Sequence, residues 1–298
     1  MFIDSHCHIA PNRSVPRADG GTYPTPVEFL AILDRAGIDR AVILPSASPE
    51  CRSRYVTTEE VLAMAASHPD RLIPFCNLDP RMDRNDASSD FSRLLEYYRE
   101  AGCKGLGELT ANLPFDDPLV WKMFEHCQAC GMPVLFHIGP QVGGCYGLVG
   151  ELHLPRLEAT LRRFPDLILI GHSQPFWSEL GPEVTAETRN TYPAGPVREG
   201  GRVPELFERF PNLYADLSAN SGFNAVSRDP EFGYAFLERF QDRLLFGTDI
   251  TSADDEPPLP DYLRRAAAEG RIPEGVFEKV AWRNADGLFG LGLAQAKG

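Results

Sequence analysis

The sequence predicts an α/β protein closed into a (β/α)8 TIM barrel, and three observations carry that expectation. Eight short β-type runs recur along the 298 residues. Helical segments with legible start and stop signals lie between them. The strand–helix–strand unit repeats at about thirty residues, and eight such units need a chain of about this length. An open doubly wound sheet is the competing arrangement, but it would normally carry a Gly-rich phosphate turn after its first strand. Here that place holds HCHIAPNRS.

The first strand is FIDSHCH (2–8). Thr25-Pro26-Val27-Glu28 then reads as a capping box with proline at the first helical position, and Gly37 terminates the helix. The second strand, AVILPS (41–46), is followed by Thr57-Thr58-Glu59-Glu60, which repeats the capping device ahead of VLAMAASHP. The remaining strands are RLIPFCNL (71–78), CKGLGEL (103–109), PVLFHIG (133–139), DLILIGHS (166–173), NLYADLSA (212–219) and RLLFGTD (243–249). Helices are expected over 88–102, 116–131, 154–165, 202–211, 229–240 and 258–270, and 273–290 reads as a closing helix beneath the barrel. The strand spacing stretches once, where 173–201 separates the sixth strand from the seventh. A loop that long in a compact domain is usually functional, so it is expected to be a lid over the barrel mouth. No composition break divides residues 1–298, which are read as a single domain.

A hydrophobic content of 43% with 24% charged residues predicts a soluble protein with a sizeable core. The net charge of −13 argues against nucleic acid or an anionic membrane as partner. A small anionic substrate remains compatible, because a local metal or arginine can outweigh the global charge. No apolar run reaches the ~18 residues needed to span a bilayer, and Asp4 stands where a signal peptide would be basic, so a cytoplasmic protein is expected. The seven cysteines are odd in number and mostly single within apolar segments, which predicts reduced thiols. HCQACG (126–131) could be half a zinc knuckle, but no second ligand pair is spaced to complete it, and it reads as a helix end closed by Gly131.

Asp4, His6 and His8 fall at alternate positions, so in an extended strand they share one face. Alone, that pattern reads equally as a metal site or as a polar strand end. His6 and His8 end the first strand, Glu108 the fourth, His137 the fifth, His172 the sixth and Asp249 the eighth. Barrel enzymes assemble their active sites at the C-terminal ends of their strands, so these residues would converge on one mouth. Asp249 after a glycine could be a turn cap and Glu108 a solvated strand end. Five separate strands each ending in a ligand-type residue favour a site for a divalent transition metal.

The set Asp4-Ser5-His6-Cys7-His8, Gly107-Glu108, Phe136-His137, Gly171-His172 and Gly247-Thr248-Asp249 resembles the amidohydrolase superfamily. Within it, the similarity is to the amidohydrolase-related (amidohydrolase 2) group, which includes aminocarboxymuconate-semialdehyde decarboxylase and lactone hydrolases. Trp282-Arg283-Asn284-Ala285 and Leu288-Phe289-Gly290 resemble that group's C-terminal helix, so the resemblance spans almost the whole chain. It implies His6, His8, His137 and Asp249 as ligands of a principal metal, with Asp249 also taking a proton from water. His172 would then be either an acid/base or a ligand of a second metal, and Glu108 would bridge two ions in a binuclear site, the arrangement expected here. The implied cofactor is one or two divalent ions, Zn²⁺ first and Mn²⁺ as the other candidate. Such ions lower the pKa of water to about 7, giving a hydroxide that attacks a carbonyl.

The expected reaction is hydrolysis of an ester, lactone or amide of a small organic acid. Non-oxidative decarboxylation of an aromatic or muconate-type carboxylic acid is the alternative. Asp4 is expected either to orient a histidine through a hydrogen bond or to be satisfied by backbone. Arg81, Trp177, Tyr192 and Asn220 are the candidate substrate contacts, Arg81 for a carboxylate and the aromatic pair as covers on the long loop. The partner is a small-molecule substrate, and a homo-oligomer is left open.

Overall fold

The computed structural model describes residues 1–13, 15–17 and 20–294. Its strands are β1 (Ile3–Cys7), β2 (Arg40–Ile43), β3 (Leu72–Pro74), β4 (Leu106–Leu109), β5 (Val134–Gly139), β6 (Leu148–Val149), β7 (Leu169–His172), β8 (Leu213–Asp216) and β9 (Leu244–Leu245). All pair in parallel: β1-β2-β3 form one run, β4-β5-β7-β8-β9 another, and the two-residue β6 adds to β5. Eight of the nine coincide with the eight runs read from the sequence, β2 starting one residue earlier at Arg40. β6 is an addition.

Both seams between the two runs are hydrogen-bonded. At the β3–β4 seam Cys76 bridges Leu106, with Cys76 N donating to Gly105 O (3.0 Å) and Gly107 N to Cys76 O (2.9 Å). At the β9–β1 seam Ser5 N donates to Phe246 O (2.9 Å), Asp249 N to His6 O (2.8 Å) and His8 N to Ile250 O (2.9 Å). The sheet therefore closes on itself as a barrel. Strands buried on both faces read as continuous apolar runs rather than alternating ones, which is why they were legible.

Both expected capping boxes form: Thr25 N donates to Glu28 Oε2 (2.9 Å) and Thr57 N to Glu60 Oε2 (2.9 Å), while each threonine hydroxyl accepts from the glutamate's own amide. Gly37 ends the first helix in the left-handed region at φ 64°. The closing helix is broken into Glu274–Glu278, a π turn over Lys279–Arg283, and Asn284–Phe289. Asn284 Nδ2 donates to Gln241 O (2.6 Å) and Leu244 O (2.8 Å), fixing this segment under β9. A helix over Ala219–Ser227 was not expected, because ANSGFNAVS is rich in weak helix formers. Gly222 permits it, since a Cβ there would lie 2.2 Å from the Leu217 carbonyl carbon. Among the described residues, no helix is long and apolar enough to cross a membrane.

The segment expected to be a lid divides in two. Gln174–Trp177 is a short helix and Ser178–Leu180 a 3-10 turn, buried from Pro175 to Leu180. The stretch 181–201 follows without regular structure, and its Arg189 is drawn into the fold, 2% exposed, beside Glu179 (3.3 Å) and bonded to Gly150 O. Glu179 Oε2 also accepts from His153 N (2.9 Å), and Val197 N donates to Asp229 Oδ2 (2.9 Å).

Burial pushes the Glu179 carboxyl up to about 7 from its usual 4.5, with Arg189 pulling the other way. The folded chain thus holds this proton more tightly than the unfolded one. Stability from that protonation is full below 4.5 and is lost as pH rises through about 7. The Tm advantage of wild type over Glu179→Gln should therefore shrink across that window. A pH-independent difference would sink the assignment.

Candidate active site

Five strand ends place their side chains at one mouth of the barrel. β1 contributes His6 and the position just beyond the strand His8, the end of β4 Glu108, β5 His137 and β7 His172, and the turn after β9 contributes Asp249. Asp249 sits at φ 56°, a left-handed conformation that aspartate tolerates better than most residues and that the hydrogen bond its N–H donates to His6 O holds. Gly107 lets β4 run close to β5, since a Cβ there would lie 2.7 Å from Leu135 O.

The ring nitrogens and carboxylates converge. His6 Nε2 and His8 Nε2 are 3.2 Å apart, and Asp249 Oδ1 lies 3.5 Å from the first and 3.6 Å from the second. Glu108 Oε2 is 3.5 Å from His8 Nε2, while its Oε1 is 2.7 Å from His137 Nδ1 and 4.0 Å from His172 Nε2. Three triplets therefore bring their ligand-type atoms within 4.8 Å of one another: His6, His8, Glu108; His6, His172, Asp249; and Glu108, His137, His172.

Behind the imidazoles lies Asp216, fully buried at the end of β8. Its Oδ2 is 2.8 Å from His6 Nδ1 and its Oδ1 3.0 Å from His172 Nδ1, with Ser218 bonded to the same carboxylate. A carboxylate on Nδ1 fixes the N–H there and leaves each Nε2 lone pair facing the cluster. Burial opposes charge on His6, but Asp216 and then Asp249 outweigh it and push the imidazole up to about 10. Burial likewise opposes charge on Glu108, yet His137, His8 and His6 hold it well below the usual carboxylate range. Three carboxylates thus create a field that calls for positive charge among the Nε2 atoms. A proton answers it, and so would a divalent cation, for which neutral imidazole and carboxylate oxygen are suitable donors. The residues present fit such an ion.

The sequence pattern of the amidohydrolase family matches residues 3–291. The chain belongs to that family. It is an enzyme of the amidohydrolase superfamily, with the barrel fold of solved relatives that share little sequence with it. An uncharacterised TIM-barrel protein of Bordetella bronchiseptica is 16% identical, with 100% of this chain and 99% of that one covered at a TM-score of 0.60. A probable 2-pyrone-4,6-dicarboxylic acid hydrolase of Acinetobacter baumannii is 14% identical (97% and 99% covered, TM-score 0.57). A 5-carboxyvanillate decarboxylase of Sphingomonas paucimobilis is 18% identical (97% and 98% covered, TM-score 0.58). Among curated proteins, none matches.

Of the substrate contacts expected from sequence, this amidohydrolase brings two to the site. Asn220 and Tyr192 line a cavity of about 500 Å³ together with Asp249. Trp177 does not cover it: the ring is 1% exposed, packed in the core, and donates Nε1–H to Asp216 O (3.0 Å). The short helix after β7 turns it inward. Arg81 is closed in by two carboxylates, Asp79 through paired bonds (2.7 and 2.6 Å) and Glu50 (2.7 Å). Asp4 touches no imidazole; its Oδ1 accepts from the amides of His6 and Thr248 (3.0 Å each) and its Oδ2 from Thr248 Oγ1 (2.6 Å). It clamps the β9–β1 seam, and Asp216 does the orienting instead.

Sequence reasoning missed Asp216 and three residues flanking the cluster. Tyr23 lies with its ring 6.0 Å from that of His8, and Tyr146 4.5 Å from that of His137. Arg52 donates to Tyr23 Oη and to Thr110 Oγ1, both at 3.1 Å. Asp216→Ala leaves two buried imidazoles without their carboxylate, with only the Ser218 hydroxyl beside them, and should cost roughly 3–5 kcal/mol in urea denaturation at neutral pH. Ser218→Ala, which removes one hydroxyl, should cost about 1 kcal/mol. Equal small losses for both would show that Asp216 does not hold the cluster.

Proposed function

We propose that the chain is a metal-dependent hydrolase acting on an ester, lactone or amide carbonyl of a small organic acid, with two divalent ions, Zn²⁺ first among the candidates and Mn²⁺ second. The observation that carries this reading is the position of Glu108, whose two oxygens face different imidazole groups, His8 on one side and His137 with His172 on the other. Such a carboxylate suits a bridge: His6, His8 and Asp249 would hold one ion, His137 and His172 the other, with Glu108 shared. The sequence reading grouped His137 with the first set. Its 2.7 Å contact with Glu108 supports the second.

When bound, such ions act as Lewis acids that make water more acidic and polarise a carbonyl. The chain's own residues supply the rest. Asp249 reaches the cavity with its side chain 24% exposed, and it is placed to accept a proton from water and return it to the leaving group. Asp216 holds His6 and His172 by Nδ1, so neither ring can turn its Nε2 away. Asn220 and Tyr192 bound the cavity into which the substrate body fits.

Solved relatives that include a probable hydrolase and a decarboxylase do not separate the two reactions. Metal content does. Loaded wild type should carry about two ions per chain by elemental analysis, and Glu108→Ala about one, with hydrolysis of an ester and lactone panel falling by roughly 100-fold or more. One ion per chain, with activity surviving Glu108→Ala, would favour decarboxylation instead. Asp249→Asn should lower kcat by about 10²–10⁴ with a smaller change in KM. A KM effect alone would remove Asp249 from proton transfer.

A further inference from the structure

We infer that Arg52 is the carboxylate anchor for the substrate, beside the histidine cluster, so that the acid group of the substrate binds between Tyr23 and Tyr146 while its reacting carbonyl faces the cluster. The inference rests on the hydrolase reading for the reaction but on separate residues for the binding.

Arg52 lies on the loop after β2, and its guanidinium makes two neutral hydrogen bonds, to Tyr23 Oη and Thr110 Oγ1. Its Nε is buried without a hydrogen-bond partner, and among the described residues no carboxylate pairs with it. The acids near this loop are engaged elsewhere: Glu50, two residues earlier, and Asp79 both close on Arg81. A buried guanidinium donor without an acceptor is costly, and a bidentate carboxylate is the ligand its planar fork fits best.

The surroundings place that donor beside the chemistry. Thr110 stands two residues beyond Glu108, and the guanidinium carbon lies 5.6 Å from the centroid of Tyr146. Tyr146 packs on His137 and Tyr23 lies beside His8, so two phenol rings connect Arg52 to imidazoles on both sides of Glu108. The loop bearing Tyr146 is held there by Asn112, which accepts from Gly143 N (2.6 Å) and donates to Gln141 O (3.0 Å) and Gly147 O (3.3 Å). Gly147, at φ 102°, comes so close that a Cβ would lie 2.8 Å from His137 Cδ2. Flanking rings favour a planar acid, which makes an aromatic carboxylate the suitable probe.

The test is calorimetric titration of the metal-loaded protein with benzoate and cinnamate, each against its neutral amide. Wild type and Arg81→Gln should bind the acids at least about tenfold more tightly than the amides. Arg52→Gln should erase that preference and Arg52→Lys restore part of it. Preference retained in Arg52→Gln, or absent from wild type, overturns the anchor. Turnover of phenyl acetate, which bears no carboxylate, separates this from the reaction itself. If wild type hydrolyses it, the hydrolase reading stands whatever the titration gives; if wild type binds acids through Arg52 yet cleaves no ester, the anchor stands and the reaction class falls.

Discussion

The arrangement of the site depends on one buried carboxylate shared by two imidazoles. Asp216 reaches His6 on β1 and His172 on β7 from β8, so three strands are registered against one another by a single side chain. Its backbone carbonyl accepts from Trp177, which extends the same constraint into the short helix after β7. A carboxylate this deep is tolerated because both oxygens accept from donors, Oδ2 from His6 and Oδ1 from His172 and Ser218. The rings it holds are then pre-oriented, and their Nε2 atoms converge without further adjustment.

Around that anchor the molecule separates its charges by task. Glu108 and Asp249 face inward on the cluster, while Arg81 is neutralised by Asp79 and Glu50 a short distance along the same rim. Arg189 and Glu179 form a second buried pair that ties the irregular stretch after β7 to the barrel. This pair leaves Glu179 Oε1 and two Arg189 nitrogens without hydrogen bonds, so it specifies where the loop lies more than it stabilises the fold. The overall charge of −13 therefore says little about the mouth, where local groups set the field.

Much of the fold and of the cluster was legible because both follow short-range rules. Buried parallel strands are continuous apolar runs, capping boxes are four-residue patterns, and a polar residue at the C-terminal end of a barrel strand stands out against its neighbours. Asp216 obeys the same strand-end rule, but the seventh run was read as far as Ala219, which made it look internal; the strand ends at Asp216. Three residues of boundary error hid the residue that orients the site. Arg81 could have been discounted locally, since its partner Asp79 is two positions away. Arg52, Tyr23 and Tyr146 could not have been found that way, because only the folded loops bring them together.

The β9–β1 seam has a consequence for biosynthesis. Asp4, Ser5, His6 and His8 bond to Thr248, Phe246, Asp249 and Ile250, joining segments separated by more than 240 residues. His6 and His8 wait for more than 240 further residues before these partners exist, and closing so long a loop is entropically the most expensive contact in the barrel. Completion of the cluster is thereby tied to synthesis of the segment through Ile250. A chain released before Phe246 lacks the backbone acceptor for Ser5 and the carboxylate of Asp249, so its cluster stays incomplete.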